Sequence, residues 1–470
     1  MIIRHSLSEA NHYVQALKKE YDRSFGEKSF STKSLEYLAF CITAIIITGT
    51  LCWYKFERAT AGKWTPALLS WWLHHCKKIP WDKIFFASVK LILNNYSVIE
   101  GHLVVDDFDR HRSKITKAIY GVHKTRNKNG GGFVQAQNIV LLVLVTNVIT
   151  LPVGFTFYRP DPERKKWDKE DEKLRKKGVK KSDRPSKPIH SKEFPAKKTI
   201  AVSLIHQFKF YNKNVKIKSI SADSAYLSKY TRKMINVAYQ KVQFLSQLKA
   251  NQLVTCPHRG HVTLQEYFGS KVEKKLEINL RGDIKKITYV GARLFINAQN
   301  KLMHVVALKY EGEEKYRFIC ATQPTWRSED IIRAYAFRWL VEVVIEDFKL
   351  YEGWGKEASQ QREDGANRGL CLGFLVDHCL LYHPLQRNLH QTGKPLYTVG
   401  AMRSQLQFEN IIQTMEAIIE SPDPKAELKE LATHMENVLI FRRSKKHMSS
   451  REMPDTRASP SLLKKFSAGS

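Results

Sequence analysis

Through roughly the first 98 residues, apolar positions recur at helical spacing, and Trp64, Trp71, Trp72 and Trp81 give part of that stretch an aromatic, amphipathic face. The period then changes. Residues 102–107 (HLVVDD) read as a strand ending in two aspartates. A basic polar stretch follows, and Asn129 with the three glycines through Gly132 signals a turn. Residues 138–158 (NIVLLVLVTNVITLPVGFTFY) carry no charge and are rich in Val, Ile and Thr, with Asn147 and Pro152 interrupting them. That pattern predicts two buried strands joined by a turn, completing an antiparallel meander with the first strand. Helical spacing returns over 199–211, and an alternating strand over 216–222 ends at Asp223. A helix over 230–240 and a strand over 242–248 follow. From 254 to 322 short strands alternate with turn residues, and helical periodicity resumes at 328 and runs with breaks to about 439. The fold class is α/β: a mixed sheet with flanking helices, a β-rich insertion, and helical regions at both ends.

Length sets room for about three domains of ~150 residues. The 43% hydrophobic content of the 470 residues is ample for a packed core. With 77 Lys+Arg against 46 Asp+Glu, the net charge of +31 calls for a polyanionic partner, nucleic acid first. Much of this charge sits in residues 159–198, which hold five prolines and almost no large apolar side chains. Such a segment is expected not to order itself and to lie along the polyanion or serve as a solvated linker. The tail from Arg442, basic and serine-rich, is likewise expected to be disordered. Seven cysteines without a pairing rhythm suit a reduced, cytoplasmic protein. Residues 38–54 (LAFCITAIIITGTLCWY) reach the lower edge of membrane-spanning length, but a buried core helix is the better reading.

Three acidic residues stand at the ends of core elements: Asp107 after the first strand, Asp223 after the fourth, and Glu342 in the helix beyond the β-rich block. If strands one and four are parallel neighbours, their carboxylates lie ~4.8 Å apart and repel unless a divalent cation neutralises them. A third carboxylate from a facing helix completes an oxygen-rich site for two Mg²⁺, with Mn²⁺ as substitute, suited to phosphodiester chemistry. Asp106 and Asp107 face opposite ways along a strand, and spacing alone does not choose between them; Asp109 shares the face of Asp107. Tyr335, Arg338, Glu342 and Lys349 fall at helical offsets that keep them within ~60° of one another. On that stripe the carboxylate suits a metal, and the guanidinium and ammonium suit phosphate oxygens. A weaker group, Cys256, His258 and His261, offers three zinc ligands without a fourth.

The helix motif Y-(2)-R-(3)-E-(6)-K, here Tyr335, Arg338, Glu342 and Lys349 with every spacing kept, resembles the signature of bacterial cut-and-paste insertion-sequence transposases with DDE chemistry. Val104-Val105-Asp106-Asp107 is similar to that family's strand-end pair, although Phe108 stands where Thr is usual, and Ser221-Ala222-Asp223-Ser224-Ala225-Tyr226 is similar to its second acidic motif. The resemblance spans about residues 100–350. It implies a ribonuclease-H-like catalytic fold and selects the second aspartate of the pair, so that Asp107, Asp223 and Glu342 hold the metal. It implies Arg338 and Lys349 on phosphate with Tyr335 beside them, and double-stranded DNA, both transposon ends and target, as partner. A homodimer or higher assembly on DNA, with no membrane, and a place at the bacterial nucleoid complete the expectation. The division it suggests is 1–98 for DNA binding, 99–253 and 327–390 for catalysis around an insertion at 254–326, a helical region over 391–441, and the tail from 442. The rival expectation is a transposase-like DNA-binding protein without catalysis.

Overall fold

The computed structural model describes residues 3–26, 30–112, 116–127, 131–256, 260–280, 283–354 and 358–438. His258 and the basic tail lie outside these residues. The chain divides into two compact units, Met1–Tyr96 with Glu346–Ser470, and Ser97–Ile345.

The first unit opens with α1 (Ser8–Phe25), α2 (Thr32–Thr48), α3 (Trp53–Ala59), α4 (Pro66–His75) and α5 (Ile84–Asn95). The Ser31 and Thr65 hydroxyls accept the backbone N–H groups of Ser34 and Leu68, capping α2 and α4. Helix α2 stops at Gly49, whose φ of +70° is the left-handed conformation that ends helices. From Tyr37 to Ile46 every residue of α2 is buried. Trp64 stacks on Phe40 at 4.5 Å and Trp72 on Tyr37 at 5.4 Å, so two of the four tryptophans serve the packing of this core helix. Among the described residues no single helix is long and apolar enough to cross a membrane; α2 and α3 pass that test only as a pair bent by 88°.

The second unit is built on one twelve-stranded mixed sheet. Its strands are β1 (Glu100–Arg112), β2 (His123–Arg126), β3 (Phe133–Val145), β4 (Thr150–Tyr158), β5 (Lys216–Ala222) and β6 (Gln243–Leu248). They continue through β7 (Leu253–Cys256), β8 (Gly260–Thr263), β9 (Lys274–Leu280), β10 (Asp283–Ile296), β11 (Lys301–Tyr310) and β12 (Arg317–Ala321). Strand β3 is antiparallel to β1, β2 and β4, whereas β5 is parallel to β1 and β6 to β5. The turn between β3 and β4 forms at Thr146, whose hydroxyl accepts the N–H groups of Val148 and Ile149. Pro152 lies inside β4 where the register shifts, the place where a strand tolerates a missing donor. The β-rich block does not stand apart: β12, β11 and β10 extend the same sheet beyond β6.

Between β4 and β5 lies the largest departure from expectation. Residues 159–198, expected to be disordered, carry α6 (Pro162–Lys176) and the start of α7 (Lys197–Tyr211). Hydrophobic burial is not the cause, since no residue of α6 is buried. Polar cross-links supply the order instead. Asp161 accepts the N–H groups of Glu163, Arg164 and Ser191, Trp167 donates its indole N–H to the Pro185 carbonyl, and Asp171 pairs with Arg184 at 2.8 Å.

After α7, α8 (Lys229–Ala238) connects β5 to β6, and α9 (Leu264–Phe268) follows β8. The long helix read over 328–349 is broken: α10 (Ser328–Ala336), a 3₁₀ turn (Phe337–Trp339), then α11 (Leu340–Leu350). Alternation along β11 sends Val306 and Leu308 towards Ile331, Ile332 and Tyr335 of α10, and Val305 and Ala307 towards Leu264 and Phe268 of α9. At the start of α10, Ser328 packs against Gly291, where an added Cβ would lie 2.0 Å from the hydroxyl and 2.9 Å from the His304 ring. Gly291→Ala is therefore expected to cost about 1–3 kcal/mol, read as a lower thermal midpoint. An unchanged midpoint would mean that Ser328 relaxes freely. The first unit is completed by α12 (Glu363–Tyr382), α13 (Pro384–Gln391), α14 (Val399–Ile419) and α15 (Pro424–Val438), as the C-terminal periodicity predicts.

Candidate functional site

The register of β1 against β5 builds the site. Val105 lies beside Ala222 on parallel strands, so the next residues of each stand level: Asp223 just past the end of β5, and Asp106 midway along β1, which runs on to Arg112 instead of ending at the two aspartates as the sequence suggested. Side chains at the same level of parallel strands share a face, which puts Asp106 with Asp223 and turns Asp107 to the other side. Arg338, in the 3₁₀ turn, reaches the same place. Its Nη1 donates to Asp106 Oδ2 at 2.7 Å and its Nη2 to Glu342 Oε1 at 2.9 Å. One guanidinium thus bridges a carboxylate on β1 and the carboxylate in the first turn of α11. Asp223 accepts the N–H of Ser224 at 2.6 Å, which holds its carboxylate at the strand end.

Asp107 is held differently. Its Oδ1 accepts the Tyr226 hydroxyl at 2.8 Å, and its Oδ2 accepts Asn138 Nδ2 at 2.8 Å and Lys197 Nζ at 2.7 Å. Asn138 also donates to Asp109, so these two aspartates share a face as the alternation requires. Burial pushes the two neighbouring carboxyls up, but with different outcomes. For Asp106 burial outweighs the Arg338 charge, and the carboxyl rises to about 6. For Asp107 the Lys197 charge and the three hydrogen bonds outweigh burial, and it falls below the ordinary range.

Tyr335 is buried in α10, its hydroxyl has no hydrogen-bond partner, and the Arg338 guanidinium lies 6.0 Å from its ring. Burial pushes its hydroxyl pKa well up, so it is a neutral donor. A cavity of about 560 Å³ opens beside these groups, lined by Tyr335, Arg338, Trp339 and Glu342 and by Lys285 and Arg317 of the β-rich strands. Lys349 sits in the last turn of α11 and belongs to the other unit, so the fourfold stripe read along one helix is divided by the 3₁₀ turn and the unit boundary.

Of the residues expected to hold metal, the structure therefore brings Asp223 and Glu342 towards Arg338, joins Asp106 to them, and gives Asp107 to a separate network. Lys197 and Asn138, which help position Asp107, carry no motif that marks them in the sequence, whereas Tyr226 closes the second acidic motif. Of the zinc candidates, Cys256 is buried in β7, and His261 Nδ1 hydrogen-bonds the Thr255 hydroxyl and the Asn297 amide.

Among the described residues the group whose ligand atoms come within 4.8 Å of one another is Glu9, His383 and Glu409, in the first unit. His383 Nδ1 accepts the Leu385 N–H at 3.1 Å, which leaves the proton of the neutral ring on Nε2. That Nε2 is buried and has no hydrogen-bond partner among the described residues.

No protein-family model and no curated protein matches the chain.

Proposed function

We propose that the protein is a DNA transposase that hydrolyses a phosphodiester at a transposon end and then joins the freed 3′-hydroxyl to target DNA. The observation that carries this reading is the adjacency of Asp106 and Asp223 on parallel strands, with Arg338 linking Asp106 to Glu342. The strand order supports a ribonuclease-H-like assignment: three antiparallel strands, β4, β3 and β1, then two strands parallel to β1. The register favours Asp106 over Asp107 as the first-strand metal ligand, which revises the choice drawn from the resemblance.

The donor set fits divalent cations, because carboxylates gathered in one place need a positive charge between them, and Arg338 supplies it between Asp106 and Glu342. Two Mg²⁺ ions held by Asp106, Asp223 and Glu342 would supply Lewis-acid activation of the attacking hydroxyl and stabilisation of the leaving oxygen. Arg338, released from the carboxylates, has a planar fork for two phosphate oxygens. Tyr335 holds the guanidinium from below through its ring. Asp107 ties β1 to its surroundings through Lys197, Tyr226 and Asn138. Lys285 and Arg317 also line the cavity, paired with Asp283 and Glu313.

The test uses purified full-length protein, Mg²⁺, and a linear duplex carrying the DNA that flanks its own gene, with wild type compared with Glu342→Gln. Metal-dependent 3′-end release and joining to a plasmid, lost in the variant, is the expected outcome. Binding of the correct ends without release, under both Mg²⁺ and Mn²⁺, would sink the catalytic reading and leave a DNA-binding protein.

A further inference from the structure

At the end of the sheet away from the carboxylates lies a groove of about 820 Å³, lined by Lys209, Lys213, Lys216, Lys218 and Lys241 together with Tyr239 and Trp326. Across α8 a second depression of about 320 Å³ is lined by Lys229, Arg232, Lys233 and Lys301. The two share Val242 and so form one continuous face with α8 as its ridge. No carboxylate lines either depression. Only Lys218 has an acidic partner, Glu100; among the described residues none of the other eight cations is in a salt bridge.

A folded protein pays repulsion to gather so many unpaired cations, and a polyanion relieves it. Spacing narrows the choice. Lys216 and Lys218 are both exposed on one face of β5, with Ile217 buried between them. Two residues of strand advance ~6.6 Å, close to the axial rise between every second phosphate along one strand of B-DNA, at ~3.4 Å per step. From Lys216 to Asp223 the strand runs ~23 Å, so this face is a contact separate from the carboxylate site.

We propose that this face binds the sugar-phosphate backbone of double-stranded DNA without reading its sequence, as a second duplex contact beyond the one at the carboxylates. Lys218 is paired with Glu100 and Arg232 donates to the Gln299 side chain and carbonyl, which leaves seven lysines to exchange small counterions for phosphates, and Tyr239, under Lys209 at 5.1 Å, stiffens one of them. The proposal stands apart from the catalytic reading, since it uses none of the metal-binding or phosphate-gripping residues of that site.

The test is the salt dependence of binding to a fluorescent random-sequence duplex, using full-length protein. The variant Lys213→Glu/Lys216→Glu/Lys241→Glu is compared with a control that reverses three charges elsewhere, Lys271→Glu/Lys274→Glu/Lys275→Glu. The groove variant should lose more than ~10-fold in affinity, and its slope of log K against log salt should shallow by about 2–3, while the control stays within ~2-fold of wild type. If the Glu variant fails to fold, as judged by circular dichroism, the Lys→Gln counterpart is read for the same slope change. Equal losses in groove variant and control would overturn the proposal in favour of bulk charge, and so would no loss in either. Groove-dependent preference for single-stranded RNA over the duplex would overturn the choice of ligand. Binding to a random-sequence duplex requires no strand cleavage, so failure of the catalytic reading leaves this result interpretable.

Discussion

Asp106→Asn is expected to abolish metal-dependent strand cleavage, a loss on the order of 10³-fold or more, and to weaken Mn²⁺ binding to the DNA-free protein. The reason is positional. Asp106 stands level with Asp223 on the neighbouring parallel strand and shares Arg338 with Glu342, so replacing its charge removes one of the three carboxylates on that face. Asp107→Asn should behave otherwise. It removes the charge that holds Lys197 and accepts Tyr226 and Asn138, so its expected cost is about 1–3 kcal/mol of stability with metal binding retained. Mn²⁺ titration followed by electron paramagnetic resonance, with thermal unfolding alongside, separates the two. If Asp107→Asn loses the metal and Asp106→Asn keeps it, the register argument is wrong and the rule drawn from the motif resemblance holds. Wild type that binds no Mn²⁺ would remove the metal site altogether.

The double variant Glu352→Gln/Asp377→Asn is expected to make the first unit more stable at alkaline pH, by about 1–3 kcal/mol. Glu352 and Asp377 are buried side by side, and each has an oxygen without a hydrogen-bond partner. Burial pushes both carboxyls up; the Asp377 charge raises Glu352 further, a hydrogen bond from Glu352 partly eases ionisation of Asp377, and Asp347 adds repulsion to both. The direction of the pH effect follows from proton counting. A carboxyl whose folded pKa lies above its unfolded value, ~4.3 for Glu and ~3.9 for Asp, binds more protons when folded. Its contribution is full below the unfolded values and is lost as pH rises through the raised folded ones. Wild type should therefore lose stability between mildly acidic and alkaline pH, while the amide variant shows a flatter profile. Parallel midpoint-against-pH curves for the two proteins would show that the pair is not what titrates.

How much of this was legible beforehand depended on whether a feature was local. The meander of β1, β3 and β4, the parallel pairing of β1 with β5, and the connecting helices α7 and α8 follow from hydrophobic period and turn residues. Asp223 and Glu342 could be picked out because strand ends and helix offsets are sequence properties. Residues 159–198 were misjudged because their order comes from cross-links such as Asp171 with Arg184 and Trp167 with Pro185, between positions 13 and 18 residues apart. Hydropathy does not register such pairs. The stripe of Tyr335, Arg338, Glu342 and Lys349 assumed one unbroken helix, whereas the 3₁₀ turn at Phe337–Trp339 tightens the chain between Tyr335 and Glu342.

By itself the sequence determined the α/β class, the order of strands and helices around the acidic residues, and the large positive charge. Each is set by local period, turn chemistry or a simple count. Only the tertiary structure decided which of two adjacent aspartates faces Glu342, because that choice depends on the alignment of Val105 with Ala222 across two strands more than a hundred residues apart in sequence. A shift of that register by one residue would exchange the faces of Asp106 and Asp107. The basic face around α8 was decided in the same way, since its lysines and arginine come from helices, strands and turns between residues 209 and 301 and meet only when the sheet is assembled.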